Sequence, residues 1–397
     1  GSGQGTIQVI ESKLRRTGKT TDAGTLTAPV DVLDALIGED EEGTPIPLEL
    51  GGWSLEKPAR IKITWWSPTG IFVAEDEKLT KQRKAQKEAE NKEKCINEEV
   101  HEVVYPLRDP SEEWENAQLL IPGTSIRGAL RSRASRIART VLAARDDFKP
   151  LASHDIHEQI AAEPNLVRYM FGSTEYRGAI TVHDCLSTKR GKLIEVTHNA
   201  IDRWTGGVID GGLFTEAVYL GTHWEPITID IDLRQLLNNI EAEKGPEDDV
   251  KTVGADQTGI GSEDREQSKP THADYAHAAY VLLGLVLAEL SAGTLPLGSR
   301  STRGLGQVVV TTIEVEGADR KGVDLPSWNF TGCEALQQPA TDAGVMTDAL
   351  YKGQRELAGR ILHHLKDKYD GTDWSKRLEN GPGAARKQSE VTGAADD

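Results

Sequence analysis

The strongest constraint on this chain is the order in which two hydrophobic periods recur along it. Residues 60–66 (RIKITWW) alternate in β-rich side chains and read as a strand. Residues 125–144 then carry Ile126, Leu130, Ile137 and Val141 on one face at helical spacing. Residues 178–184 and 227–233 (ITIDIDL) return to strand character, about 274–292 reads as a long helix, and 307–315 as a fourth strand. Strand, helix, strand, strand, helix, strand is the β-α-β-β-α-β order of an α+β, ferredoxin-like (RRM-like) domain. That fold serves many functions, so function has to be argued from particular sites.

The remaining segments are less regular. Residues 1–58 are Gly- and acid-rich, with one short strand-like run at 6–10, and read as an N-terminal extension, a linker or the end of a preceding module. The chain opens at Gly1-Ser2-Gly3 without Met, as a tag scar, a processed end or an internal fragment would. Residues 1–11 (GSGQGTIQVIE) echo 304–314 (GLGQVVVTTIE), which suggests either a repeat or an ordinary strand joined to a scar. Residues 78–94 form a charged run without an apolar stripe, expected to be a solvated helix or a mobile loop. Residues 241–272 lack apolar periodicity and read as a disordered insertion. The main domain is expected over 59–320, with 321–397 as a C-terminal extension whose end, beyond 375, is loose.

Composition removes several function classes. The longest apolar run, 276–290, is too short for a membrane span and contains Glu289, so it reads as a buried helix. Cys95, Cys185 and Cys333 are widely spaced and form no CxxC pair, which argues against a disulfide framework or a zinc site and fits a cytoplasmic protein. The net charge of −17 is unevenly spread. Residues 31–50 hold seven acids and no base, whereas 121–145 hold six arginines and no acid. The basic charge is therefore concentrated on the first long helix.

Two segments carry the chemistry. In 121–131 (IPGTSIRGALR), a Pro-Gly breaker precedes a helix start where Thr124 or Ser125 can cap. Free backbone N–H groups there attract anions such as phosphate. Arg127 and Arg131, one turn apart, add charge, while Gly123 and Gly128 permit close approach. An ordinary capped helix with a solvated basic face fits the same letters. In 298–307 (GSRSTRGLGQ), Arg300, Arg303 and Gly304 sit among glycines and hydroxyls in a loop suited to a polyanion backbone. It lacks a P-loop ending and precedes a strand, so a plain helix-to-strand connection is the alternative.

Together these segments resemble the hallmark motifs of the RAMP superfamily of CRISPR systems. The 171–178 stretch, Phe171-Gly172-Ser173 followed by Arg177-Gly178, resembles that family's middle segment, and the likeness spans about 59–315. Within the superfamily the chain looks most like the backbone subunit of type III effectors. The resemblance implies a guide RNA (crRNA), a complementary target RNA and other RAMP subunits as partners, with no membrane. It implies a projecting thumb hairpin at about 198–224, where Arg203 and Trp204 would meet phosphate and base. A surface hairpin whose Trp packs on its own core fits that stretch equally.

The resemblance also implies that a target-cutting Asp follows the first strand. Asp76 is the candidate, with Glu75 and Glu77 as alternates, and it would hold Mg²⁺ or another divalent cation against an RNA phosphate. The 67–77 loop departs from the family's Gly-rich spacing and runs into the charged insertion, so a solvated acidic loop is the competing reading. A non-catalytic guide-binding subunit therefore remains an alternative, as does an RNase that processes guide precursors. The latter would need a well-placed His. His154, His157 and His183 are available, and nothing in the sequence sets one beside the glycine-rich loop.

Overall fold

The computed structural model describes residues 15–16, 44–45, 57–94, 100, 102–111, 114, 116–145, 155–245, 270–337, 346–369 and 374–379. Contacts divide the chain into two units, 3–57 and 58–397. In the first, β1 (Arg15–Arg16) pairs antiparallel with β2 (Thr44–Pro45). The echo of 304–314 at 1–11 lies outside the described residues, as does His154.

The second unit is built on β3 (Ala59–Ser67), whose alternating apolar residues Ala59, Ile61, Ile63 and Trp65 are all buried. On one edge β3 pairs with β12 (Val309–Glu316), from Val309↔Trp66 to Glu316↔Arg60. Along its other edge run β10 (Thr222–Trp224) and β11 (Ile227–Ile231), two pieces of one bent strand. Beyond them lie β6 (Ile180–Val182), paired with β11, and β7 (Cys185–Lys189), paired with β10. Taking each bent strand as one, the spatial order is fourth, first, third, second, with every pairing antiparallel. This is the ferredoxin-like arrangement that the periodicity predicts. The sheet is widened by β5 (Leu120–Ile121) beside β7 and by β15 (Trp328–Thr331) beside β12; outside it lie β4 (Val103–Val104) and a small hairpin of β13 (Ala318–Arg320) with β14 (Val323–Leu325).

Eight α-helices complete the described part of this unit. These are α1 (Glu77–Glu93), α2 (Gly123–Ala143), α3 (Ile156–Ala161), α4 (Asn165–Phe171), α5 (Leu233–Lys244) and α6 (His272–Ser291), followed by α7 (Glu334–Gln337) and α8 (Asp348–Tyr369). The buried face of α2 is Gly123, Ile126, Leu130, Ala134, Ala138 and Leu142, with Ile137 and Val141 partly buried beside it. The sequence pattern found the right face and Gly123 but left out Ala134 and Ala138, the other small residues that let α2 lie close. A Cβ on Gly123 would stand 2.1 Å from the Val182 carbonyl oxygen.

Helix α6 is long and apolar enough to cross a membrane by length and composition, yet most of its residues are buried inside the unit. It is apolar all round because it is covered all round: the sheet and α2 on some sides, α8 on another. A Cβ on Gly284 would meet Leu365 of α8 at 2.7 Å. Its N-terminus carries a capping box between Thr271 and Asp274.

Several boundaries differ from the sequence reading. The 241–272 stretch begins as the end of α5 and closes with the start of α6, while 246–269 lie outside the described residues. The segment after 320 adds β15 to the sheet and α8 to the core. Residues beyond 375 are not all loose either: Leu378 is buried and the Glu379 carboxylate accepts from Lys244 and Tyr275. The charged run of 78–94 is helical as α1.

Candidate nucleic-acid interface

Between β7 and β10 the chain leaves the sheet as a long antiparallel ribbon, β8 (Lys192–Ile201) with β9 (Val208–Leu220). The ribbon starts six residues before the expected thumb and ends at Leu220. Its tip is a turn closed by Asp202, whose carboxylate accepts the Trp204 N–H at 2.8 Å and the Thr205 hydroxyl at 3.1 Å. Those two hydrogen bonds hold the Asp202 pKa below its ordinary value. The turn leaves Trp204 96% exposed beside an exposed Arg203. A Trp packed on its own hairpin is therefore not what the fold contains.

The ribbon's base is locked to the loop after β3. Gly221 donates its N–H to the Pro68 carbonyl at 3.0 Å. Gly70, at φ +82°, lies so close to the Tyr219 carbonyl that a Cβ would come within 2.5 Å. That same loop is zipped to the glycine-rich loop. Gly306 N–H donates to Gly70 O at 2.8 Å, and Ser299 N–H to Phe72 O at 2.7 Å. Gly298 needs its φ of +76° and its missing Cβ because Phe72 O lies 2.7 Å from where that atom would be.

Within the glycine-rich loop Arg300 adopts a left-handed φ of 67°, followed by a 3₁₀ turn over Ser301–Arg303 and Gly304 at φ +86°. Both arginines turn toward β9, where Glu216 is 1% exposed. Glu216 accepts Arg300 Nε at 2.6 Å and Arg303 Nη1 at 2.8 Å, with His198 Nε2 at 3.5 Å. The Arg303 guanidinium also lies 4.9 Å from the Phe214 ring centre. Both arginine side chains stay about a third exposed, 37% and 36%. Glu216 was not among the residues singled out by sequence. Its signal was available: a carboxylate in the mainly apolar run 213–220 (LFTEAVYL), one strand-period from Phe214 and Val218.

The first motif does something different. Helix α2 starts at Gly123 behind Pro122, so Thr124 and Ser125 lie in the first turn and are not its cap. The Gly123 N–H is taken at 2.7 Å by the Asp184 carboxylate, a partner supplied by the strand end. Thr124 is exposed and Ser125 half-buried. Arg127 donates to Phe171 O, and Arg131 to Gly172 O at 3.1 Å and to the Glu163 carboxylate. These arginines thus stitch α2 to the Phe171-Gly172-Ser173 segment. Burial, then the neighbouring Arg131 charge, lowers the Arg127 pKa.

Asp76 is exposed and is the N-cap of α1, accepting the Lys78 N–H at 2.8 Å. Glu75 is buried, taking Thr80 Oγ1 at 2.9 Å and Arg83 Nη1 at 2.8 Å. Glu77 pairs with Lys81 on the surface. Among the described residues no group of three or more His, Cys, Asp or Glu is arranged to hold a metal. His157 is exposed on α3, and His183 bonds Asp230 at 2.8 Å, so neither joins the loop cluster.

A four-strand ferredoxin-like core, a hairpin raised between its second and third strands, and a glycine-rich loop leading into the fourth together define an RRM-like domain with a thumb. Residues 118–309, just under half of the chain, match the sequence model of the RAMP superfamily. No curated protein sequence matches the chain. Among solved structures, a chain of the Type III-B Cmr-beta complex bound to cognate target RNA aligns with a TM-score of 0.33 and 13% identity. The alignment covers 65% of this chain and 61% of that one, so the chain spans less than two thirds of the solved relative.

Proposed function

We propose that this chain is a cytoplasmic, RNA-binding subunit of a type III CRISPR effector complex, which holds the guide RNA (crRNA) beside other RAMP subunits. The observation that carries the reading is the convergence, in a RAMP-superfamily domain, of the glycine-rich loop and the base of a hairpin tipped by an exposed Trp. Arg300 and Arg303 meet backbone phosphates with the guanidinium nitrogens that Glu216 does not occupy, and Gly304 allows the backbone to come close. Thr124 and Ser125 add hydroxyls at the start of α2. Arg203 and Trp204 reach the duplex of guide and complementary target RNA, where an exposed indole stacks on a base. Arg127 and Arg131 support this surface by fixing the start of α2. Sequence specificity comes from base pairing, with the protein reading backbone shape.

The test is to purify the chain with its natural partners, extract nucleic acid and run it on a denaturing gel with and without RNase. A discrete RNA containing CRISPR repeat sequence is the expected result. Absence of RNA, or a smear of unrelated fragments, would refute the reading.

Target cleavage is a second part of the proposal, favoured by the exposure of Asp76 at the end of the loop zipped to the glycine-rich loop. Asp76 supplies one carboxylate, which suits a Mg²⁺ ion completed by phosphate oxygens and water better than an all-protein cage. Such an ion would polarise the phosphoryl group. Asp76→Asn keeps a good N-cap. It should abolish cutting while leaving RNA binding intact, and full cutting by that variant would remove Asp76 from the chemistry.

A further inference from the structure

A carboxylate next to two arginines that are to bind phosphate is at first sight a fault. It carries the same sign as the ligand and competes for the same donors. The geometry of Glu216 gives it another part. It is 1% exposed, too deep to meet RNA itself. It belongs to the thumb strand β9, opposite Val196 of β8, while its two arginine partners belong to the glycine-rich loop.

It takes one nitrogen from each guanidinium, Nε of Arg300 and Nη1 of Arg303. Each arginine, with five donors in a rigid fork, keeps its other N–H groups. Each is also seated on an aromatic ring, Phe72 at 5.7 Å under Arg300 and Phe214 at 4.9 Å under Arg303. An arginine so fixed loses little side-chain freedom on meeting a phosphate, which is the usual advantage of pre-organised donors. The left-handed backbone at Arg300, φ 67°, is a conformation an ordinary side chain adopts only when its surroundings hold it.

We infer that Glu216 is a positioning residue for RNA phosphate: it aims Arg300 and Arg303 jointly and ties their direction to that of the thumb hairpin. The inference rests on the RNA-binding reading above and adds to it the residue that sets the donor geometry.

The sign of one substitution separates this role from a merely electrostatic one. Glu216→Gln removes a negative charge near the bound polyanion, so an acid that only repels RNA predicts tighter binding. A positioning acid predicts weaker binding, on the order of tenfold at 0.15 M salt, since two phosphate contacts lose their aim. The plot of log K against log salt should become shallower by about 1.4, at roughly 0.7 for each phosphate contact on a single strand.

The measurement uses the full chain and a single-stranded RNA oligonucleotide of fixed length, titrated across a salt series. Glu216→Gln is made in the wild type and in an Arg300→Met/Arg303→Met background, where it should have no further effect on RNA. Glu216→Asp keeps the charge but withdraws the carboxylate by one methylene, and serves if the Gln variant fails to fold. It too should bind more weakly, with a shallower slope. Wild-type affinity and slope in both variants, tighter binding by Glu216→Gln, or an undiminished effect in the double-Met background would each overturn the inference. If the wild-type chain binds no RNA, the reading of function fails and takes the inference with it. If the wild type binds and the slope does not move, the inference alone fails.

Discussion

Glu216 on the thumb strand and Arg300 in the glycine-rich loop, 84 residues apart in sequence, meet at 2.6 Å, and Arg303 reaches the same carboxylate at 2.8 Å. Around that contact the loop after β3 bonds to both the hairpin base and the glycine-rich loop, through Pro68, Gly70 and Phe72. Three segments distant in sequence therefore share one surface. The hairpin tip stands apart from it, and the tip and the surface should respond differently to substitution.

Trp204 is 96% exposed, and its backbone N–H bonds the Asp202 carboxylate. Trp204→Ala should leave thermal stability within about 0.5 kcal/mol of wild type, as surface changes away from structural features do. RNA binding should weaken by about 1–3 kcal/mol if the indole stacks on a base. Thermal melts and an RNA titration on the same preparations check both halves. A large stability loss with unchanged RNA affinity would mean that the ring packs on protein.

Arg127 and Arg303 should give opposite signatures. Arg127→Ala removes the donor to Phe171 O and one of the ties between α2 and the following segment. The expected cost is roughly 1–3 kcal/mol of stability for a part-buried hydrogen bond left unmade, with the RNA salt slope unchanged. Arg303→Ala should lower RNA affinity without sequence preference and flatten that slope by about 0.7. Denaturant unfolding paired with salt-dependent binding separates the two.

The third prediction concerns pH. Burial disfavours ionised Asp230, but hydrogen bonds from Arg60 at 2.6 Å and His183 at 2.8 Å outweigh it and hold the pKa below its ordinary value. A carboxyl with a depressed folded-state pKa stabilises the fold at any pH above its unfolded value. That contribution disappears as pH falls from about 4 through the folded value. Asp230→Asn should therefore cost stability at neutral pH and lose its deficit relative to wild type as pH drops below about 4. Unfolding curves at a series of pH values test this, and a deficit constant down to the lowest pH would contradict it.

The fold was legible where burial imposes a period. The strand 60–66 and the helix 125–144 are regular because one face of each is covered, and the β-α-β-β-α-β order follows from them. Boundaries were less legible where structure depends on partners remote in sequence. Helix α2 starts at Gly123 because Asp184 supplies the acceptor and Val182 leaves no room for a side chain, and neither contact is visible in 121–131. The same holds for function. The letters of 298–307 suggest a polyanion loop, and the structure turns Arg300 and Arg303 of that loop to one carboxylate. Their partner Glu216 lies in a strand whose pattern marks only alternation. Arg127 and Arg131 look like phosphate ligands by charge and spacing, and the structure adds what 121–131 alone does not show: they also bond the Phe171 and Gly172 carbonyls and the Glu163 carboxylate.

The run 75–77 makes that lesson testable, because three adjacent acids occupy three environments. Glu75 is buried and takes both Thr80 and Arg83, so Glu75→Gln should destabilise the protein markedly, on the order of 2–3 kcal/mol, the scale of breaking a largely buried charged pair. Arg83 is held there also by its ring contacts, 3.5 Å above Trp114, so losing its carboxylate leaves a cation stacked on aromatics. Asp76 caps α1, so Asp76→Ala should cost about 1 kcal/mol, whereas Asp76→Asn should cost almost nothing because Asn caps equally well. Glu77 makes an exposed pair with Lys81 within one helix, so Glu77→Gln should change stability by no more than about 0.5 kcal/mol. Denaturant titration of the four variants checks the ranking. If Asp76→Asn also abolishes target cutting while its stability is unchanged, the cap and the chemistry are separable at one residue, and cutting depends on the charge of Asp76 independently of the helix it starts.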